Sequence, residues 1–213
     1  NRGYLAAPAI SPDAKTAVVA SSSFSKPGGM PEKAAFELWS LAEGRQLATW
    51  PVTYADQRSS RSTAFSPDGK LVASGEFVNG GLEIRDSATG ALLKHLHRPM
   101  RNSELRIFFD RVGTLVGRPT PRYFTEWSAH RIVFTPDSRL VISCTDNHAL
   151  IRDVATGKEL ADCHAGEWTQ TFVSMAVSPD GRTLATGDQG RHIRLWEIPS
   201  GRPLAQWEAH AAG

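Results

Sequence analysis

The chain has 213 residues, 40% of them hydrophobic, which is enough for a large folded domain and far from the composition of disordered proteins. Its 24 basic and 22 acidic residues are interleaved and leave a formal charge of +2, which argues against a nucleic-acid partner. No apolar run is long enough to span a bilayer and the N-terminus has no signal-peptide pattern, so membrane insertion is not expected.

The first recurring element is a four-residue turn motif that occurs four times along the chain. Proline presets the backbone angle at its second position, aspartate tolerates the third, and glycine at the fourth accepts the left-handed conformation that closes a hairpin. Each copy precedes a β-branched and apolar run, which indicates a strand. Ala14 and Ser138 stand where glycine is easiest, at an expected cost of up to about 1 kcal/mol each if φ is positive there. The copies are Ser11–Ala14, Ser66–Gly69, Thr135–Ser138 and Ser178–Gly181.

A second element follows each turn motif and predicts two further strands in every unit. It consists of a short strand, a turn that ends in glycine, and another apolar run. Four antiparallel strands per unit cannot bury both faces alone, so neighbouring units are expected to stack face to face. The third strands contain Glu37–Ser40, Glu83–Asp86, Leu150–Asp153 and Arg194–Glu197, the turn glycines are Gly44, Gly90, Gly157 and Gly201, and the fourth strands contain Leu47–Trp50, Leu92–Leu96, Glu159–Cys163 and Leu204–Trp207.

These features resemble the WD40-repeat family of β-propellers over nearly the whole chain. The residues that carry the resemblance are Phe65–Leu71, Ala155–Lys158 and Ile193–Glu197. The resemblance implies an all-β fold of four-stranded antiparallel blades in one domain, 1–213, with blades at about 4–51, 62–97, 131–163 and 172–207. Blades of about 42 residues make a seven-bladed ring about 300 residues long, so we expect an open arc of a larger ring rather than a closed one.

The repeats are degenerate in comparison with the family pattern. Trp39 and Trp196 occupy the tryptophan position of the Trp-Asp pair, and Arg85 and Arg152 occupy it in the other two copies. An arginine on an inner strand must pair with an acid or reach solvent, and the adjacent Asp86 and Asp153 point to the opposite sheet face. The Gly-His dipeptide of the family is also missing, although His130, His164 and His210 lie near its position. A buried network of that histidine with Ser or Thr, Asp and Trp is therefore expected to be incomplete.

Spacing locates two insertions. The first unit has 31 residues between its aspartate and its turn glycine, against 20 to 22 in the others, which predicts a loop at Ser21–Pro31. The interval from Gly90 to Asp137 is about twice the other two intervals and places an insertion at 98–130. We interpret that insertion as a protruding hairpin or a truncated blade.

Searches for catalytic chemistry find no phosphate-binding loop, no metalloprotease motif and no nucleophile elbow. The seven histidines are scattered, and His95 with His97 lacks a third metal ligand, so no metal site and no cofactor is expected. Cys144 and Cys163 fall on the second and fourth strands of one blade, about 10 Å apart and beyond disulfide reach. Two buried free thiols favour a reducing compartment such as the cytoplasm.

Candidate binding residues lie in the connections between strands, where a rigid scaffold presents variable side chains. Trp168 and Gln170 lie in a connection between blades in which an aromatic can anchor a partner or tuck against the blade edge. Tyr54 and Arg58 occupy the equivalent connection elsewhere, and Gln189 with Arg191 forms a further loop candidate. Trp39, Trp50, Trp196 and Trp207 are instead predicted to pack between blades.

Two functions fit these observations. The first is a non-catalytic module that binds a protein or peptide, in which further blades or domains of the parent chain can take part. The alternative is a sensor or regulatory propeller attached to an enzyme, or a propeller with a small-molecule site in its funnel. The first rests on analogy with the family and on the absence of catalytic motifs.

Overall fold

The structure is a computed structural model that describes residues 2–5, 8–24, 33–51, 62–75, 81–96, 131–145, 147–166 and 171–209. Within these residues the chain forms strands, turns and bends, arranged as four antiparallel sheets that we call blades 1 to 4. Blade 1 contains β1 (Arg2–Leu5), β2 (Ala9–Ile10), β3 (Thr16–Phe24), β4 (Lys33–Ser40) and β5 (Arg45–Pro51). Blade 2 contains β6 (Thr63–Phe65), β7 (Leu71–Gly75), β8 (Leu82–Asp86) and β9 (Leu92–Leu96). Blade 3 contains β10 (Arg131–Phe134), β11 (Leu140–Thr145), β12 (His148–Asp153) and β13 (Glu159–His164), and blade 4 contains β14 (Phe172–Val177), β15 (Thr183–Asp188), β16 (His192–Glu197) and β17 (Pro203–Glu208).

The predicted all-β fold of four-stranded antiparallel blades is confirmed. Blade 1 differs in its first strand, which is split: β1 pairs with the C-terminal end of β3, and β2 pairs with its N-terminal half. The expectation of a loop at Ser21–Pro31 is wrong for Ser21–Phe24, because these residues continue β3 and pair with both β1 and β4. Residues 25–32 of that predicted loop lie outside the described residues.

The four predicted turns between first and second strands share one hydrogen-bond pattern. In blade 1 the Ser11 hydroxyl donates to Asp13 Oδ1 at 2.7 Å, and the backbone N–H of Thr16 donates back to Ser11 Oγ at 2.9 Å. Ser66, Thr135 and Ser178 do the same in blades 2 to 4. Ala14 and Ser138 have φ of 57° and 61°, so the predicted left-handed conformation without glycine is confirmed at both positions.

A second turn, between third and fourth strands, fastens each blade to the one before it. Its glycine has positive φ in every blade, and every third strand has a register shift next to the family's tryptophan position. A Cβ on Gly90, Gly157 or Gly201 would lie 2.6 to 2.9 Å from a side chain on the fourth strand of the preceding blade. Glycine is therefore required there both by φ and by close approach.

The blades follow one another in chain order along an arc. The inner strands touch in sequence, β2 with β6, β6 with β10 and β10 with β14. Blades 2 and 3 share one buried cluster around Ile84, Leu96 and Phe134, so they are direct neighbours although residues 97–130 separate them in the chain. The predicted insertion 98–130 itself lies outside the described residues. No described strand of blade 1 pairs with a described strand of blade 4.

Interfaces between blades explain the residues at the tryptophan position. Arg85 forms an ion pair with Glu83 at 2.9 Å, donates to the Gly90 carbonyl, and places its guanidinium 4.8 Å from the ring centre of Trp50 on blade 1. The acid is thus two residues away on the same strand face, and Asp86, as expected, is not the partner. Arg152 is buried and donates to Ser143 Oγ at 3.0 Å.

The packing role predicted for the tryptophans holds for two of the four. Trp50 and Trp196 are buried between blades and Trp39 is half-buried, but Trp207 is exposed because no described sheet lies beyond β17. Cys144 and Cys163 are buried free thiols, as predicted, on β11 and β13 with β12 between them. Among the described residues no helix has the length and hydropathy of a membrane span.

Candidate functional site

The turn between β15 and β16 brings together two of the predicted binding residues. Gln189 and Arg191 are both exposed and flank Gly190 at its tip. Arg191 has φ of 67°, a left-handed conformation that is costly for any residue with a Cβ. Tyr54, Arg58, Trp168 and Gln170, the other candidates, lie outside the described residues.

Backbone hydrogen bonds hold this turn at three points. The Gln189 N–H donates to the Thr171 carbonyl at 3.0 Å, and the Arg191 N–H donates to the Asp188 carbonyl at 3.2 Å. The Arg191 carbonyl accepts from the Ala209 N–H at 2.7 Å, beyond the end of β17. The turn is therefore tied to both flanking strands, and its two exposed side chains project from a fixed backbone.

A buried ionic group lies directly beneath the turn. The Asp188 side chain has no exposed surface, accepts the His192 N–H at 3.0 Å and forms an ion pair with Arg194 Nη1. Burial opposes ionisation of this carboxyl, but the His192 backbone N–H and the Arg194 guanidinium hold its pKa below the ordinary value of 3.8. The His192 Nδ1 lies 3.4 Å from the same carboxylate. Asp188 is thus a fixed negative charge that organises the turn.

The same network continues into the interface with blade 3. Arg194 Nε donates to Gln206 Oε1 at 3.1 Å on the neighbouring strand. Trp196 Nε1 donates to Thr186 Oγ1 at 2.9 Å, and its indole meets Phe172 edge-on at 6.5 Å between ring centres. The tryptophan-to-threonine part of the expected family network is therefore present in blade 4, while its aspartate binds an arginine instead. Arg194 was missed at the sequence level, although its position two residues before Trp196 puts both on one strand face.

A shallow groove of about 370 Å³ separates the end of β13 from the outer strands of blade 4. His164 forms one wall, where the Gly166 N–H donates to its Nδ1 at 3.2 Å and the Asn147 amide lies 2.9 Å from its Nε2. His148 stacks against it at 4.3 Å between ring centres and pairs with Asp162 at 2.8 Å. The other lining residues are Ala165, Gly166, Arg194, Trp196, Pro203, Leu204, Ala205 and Gln206.

The titratable groups around the groove are engaged in structure. Both ring nitrogens of His164 have partners, and Asp188 is ion-paired. Burial, followed by the nearby charge of Asp162, raises the pKa of the Cys163 thiol to about 12, so this thiol is protonated at neutral pH and is a poor nucleophile. The described residues contain no group of three or more His, Cys, Asp or Glu side chains that could hold a metal ion. The arrangement is suited to presenting a surface.

Comparison with known proteins identifies the repeat. The family described as WD domain, G-beta repeat matches residues 158–197, from the fourth strand of blade 3 through the third strand of blade 4. The eukaryotic translation initiation factor 3 subunit I of Pyricularia oryzae is 32% identical over 82 residues, which cover 37% of this chain and 23% of that protein. An uncharacterized WD repeat-containing protein of Nostoc sp. is 38% identical over 53 residues, covering 25% of this chain and 4% of that protein. The chain thus spans less than a quarter of either relative.

Among solved structures, the hydrazine synthase of Kuenenia stuttgartiensis aligns with a TM-score of 0.62 at 15% sequence identity. The alignment covers 93% of this chain and 47% of that chain. At this identity the similarity shows the fold alone, and an enzyme therefore contains the same arrangement of blades without implying its activity here.

Proposed function

Because the chain belongs to the WD40-repeat family, we propose that it is a non-catalytic module that binds a protein or peptide partner through the turn at Gln189 and Arg191. The observation that carries this proposal is the strained and exposed Arg191, held at φ of 67° by the hydrogen-bonded turn above the buried Asp188. Backbone strain that the surrounding structure enforces is concentrated at functional positions. Members of the family generally mediate protein–protein interaction, which supports the same conclusion.

The chemistry of the turn indicates what it recognises. Asp188 is paired with Arg194 below the surface, so it leaves the positive charge of Arg191 at the tip without neutralising it. A guanidinium on a fixed backbone pairs with carboxylates in two-pronged geometry and loses little entropy when it does so. The partner segment is therefore expected to carry an aspartate, a glutamate or a C-terminal carboxylate.

The test uses Arg191→Gly, which removes the guanidinium and relieves the backbone strain together. Partners are first captured from an extract of the source organism by the full-length protein, and their affinities for purified variants are then measured by calorimetry. We expect Arg191→Gly to raise the midpoint of thermal unfolding and to weaken binding about tenfold or more, since a charge-assisted hydrogen bond contributes about 1.5 to 3 kcal/mol. A purely structural residue would not give opposite effects on stability and binding.

Two control variants separate the causes. Ala14→Gly relieves the same left-handed strain at an exposed turn on the opposite edge of the blades, and it should stabilise the protein without changing affinity. Arg202→Ala removes an equally exposed positive charge, paired with Glu197, beside the turn at Gly201. If Arg191→Gly leaves the affinity unchanged, or if Arg202→Ala lowers it equally, the proposed site is wrong.

A further inference from the structure

The two ends of the arc carry complementary halves of the interface that joins neighbouring blades. At each internal interface, one blade contributes the forward side of its fourth strand. The next blade contributes its turn glycine and two apolar positions, one just before the first turn motif and one just after the third strand. These contributions are visible three times in the structure, so the unfilled copies at either end can be compared with filled ones.

The forward half is exposed on β17. The sequence Leu204-Ala205-Gln206-Trp207 follows Gly201 at the same spacing as Leu47-Ala48-Thr49-Trp50 follows Gly44. On β5, Ala48 receives the turn glycine of blade 2 and Trp50 is 3% exposed beneath Arg85. On β17 the equivalent Trp207 is 45% exposed. The last described strand therefore repeats the surface that holds blade 2 on blade 1, without its partner.

The receiving half is exposed on blade 1. Ile10 stands just before its turn motif and is 57% exposed, whereas the equivalent Phe134 of blade 3 is 4% exposed. Leu41 donates its backbone N–H to the Lys15 carbonyl as Ile198 donates to that of Arg182, yet Leu41 is 47% exposed and Ile198 only 7%.

The turn glycine of blade 1 completes the comparison. A Cβ on Gly44 would meet nothing within 4 Å, while one on Gly201 would lie 2.6 Å from Ala161 Cβ. Gly44 keeps the positive φ of the other turn glycines although no preceding blade covers it. Blade 1 therefore presents, in one sheet face, each element by which the later blades attach to the blade before them.

We propose that a second copy of this chain occupies these faces, with blade 1 of one copy stacked on β17 of the next. Gly44 then lies on Ala205, and Trp39, which stands at the position of Arg85, lies over the indole of Trp207. Ile10 and Leu41 are covered in the same contact. Such an interface is heterologous, so two arcs form a ring if the rotation closes and a longer filament if it does not.

The experiment measures the molar mass of the full-length protein by light scattering and sedimentation as its concentration is raised. Self-association is expected, and Leu41→Arg or Trp207→Arg should each raise its dissociation constant at least about tenfold, because each places a charge in a desolvated contact. Leu93→Arg, at a residue of blade 2 that is 55% exposed, is the control and should leave association unchanged.

Mixing the two variants gives the decisive result. A Leu41→Arg copy retains an intact β17, and a Trp207→Arg copy retains an intact blade 1, so the mixture should form a one-to-one dimer that neither variant forms alone. A wild-type protein that stays monomeric overturns the proposal, and so does a mixture that remains monomeric. If Trp207 is protected from oxidative labelling in a monomer, another part of the same protein covers it and the second copy is excluded.

Discussion

Replacing the turn glycines by alanine separates backbone strain from packing between blades. Gly44 and Gly201 have φ of 62° and 68°, so alanine meets nearly the same left-handed penalty at both, about 1 to 2 kcal/mol. At Gly201 the new methyl group would also lie 2.6 Å from Ala161 Cβ and 3.4 Å from Cys163 Sγ, whereas at Gly44 it meets nothing within 4 Å. Overpacking of this kind adds about 1 to 3 kcal/mol.

We therefore expect Gly44→Ala to lower the free energy of unfolding by about 1 kcal/mol and Gly201→Ala to lower it by about 2 to 4 kcal/mol. Urea unfolding followed by tryptophan fluorescence at low protein concentration measures both, because dilution removes any contribution from self-association. Gly90→Ala, whose Cβ would lie 2.7 Å from that of Ala48, should resemble Gly201→Ala. Equal losses at Gly44 and Gly201 would refute the interface geometry.

Three further predictions concern single contacts. Hydroxyl donation from Ser66 holds the pKa of Asp68 below 3.8, so the stabilisation is present above that value and is lost as pH falls through the folded-state pKa. Ser66→Ala should therefore cost more stability at pH 7 than at about pH 2 in urea unfolding, and equal costs would contradict this. Thr186→Val removes the acceptor of Trp196 Nε1 and should cost about 1 to 3 kcal/mol in the same assay, whereas Thr186→Ser should cost less. Because burial raises the pKa of Cys163 to about 12, native protein at pH 8 should alkylate there about a hundredfold more slowly than unfolded protein, as followed by mass spectrometry.

Much of the fold could be predicted because the repeat places the same turn chemistry at the same position in every blade. Serine or threonine, proline and aspartate specify the first turn by local hydrogen bonds, and these need no knowledge of distant residues. The positive φ of Ala14 and Ser138 followed from their alignment with Gly69 and Gly181. Local chemistry repeated four times is readable because each copy checks the others.

Contacts between blades were less readable, because they depend on which side chain stands opposite. The partner of Arg85 on the sheet face, Glu83, follows from strand alternation, but Trp50 is about 35 residues away in sequence and belongs to another blade. The exposure of Trp207 was missed for a similar reason. A strand pattern predicts that a tryptophan lies on a sheet face, and only the presence of a neighbouring sheet decides whether that face is buried.

The candidate site was found in part. Gln189 and Arg191 were selected as loop residues, but the buried Asp188 and Arg194 that fix them were not, since a charged pair inside a strand resembles any exposed pair in a single sequence. The family pattern also directed attention to a histidine, while the structure places an arginine on the aspartate. A substitution that preserves a network by exchanging its members cannot be recognised from the position of one of them.

The internal interfaces indicate why the arc tolerates the loss of the family's Trp-Asp pair. A large Trp50 on one blade faces the slender, flat guanidinium of Arg85, and a small Cys163 lies in the same cluster as the bulky Trp196. Total volume across each contact is what close packing constrains, so either side can change if the other compensates. Trp207 is a large residue on the forward side, and by this reasoning it requires a flat side chain opposite. Trp39 of blade 1 meets that requirement through its ring face, whereas a branched aliphatic residue at the same position would not.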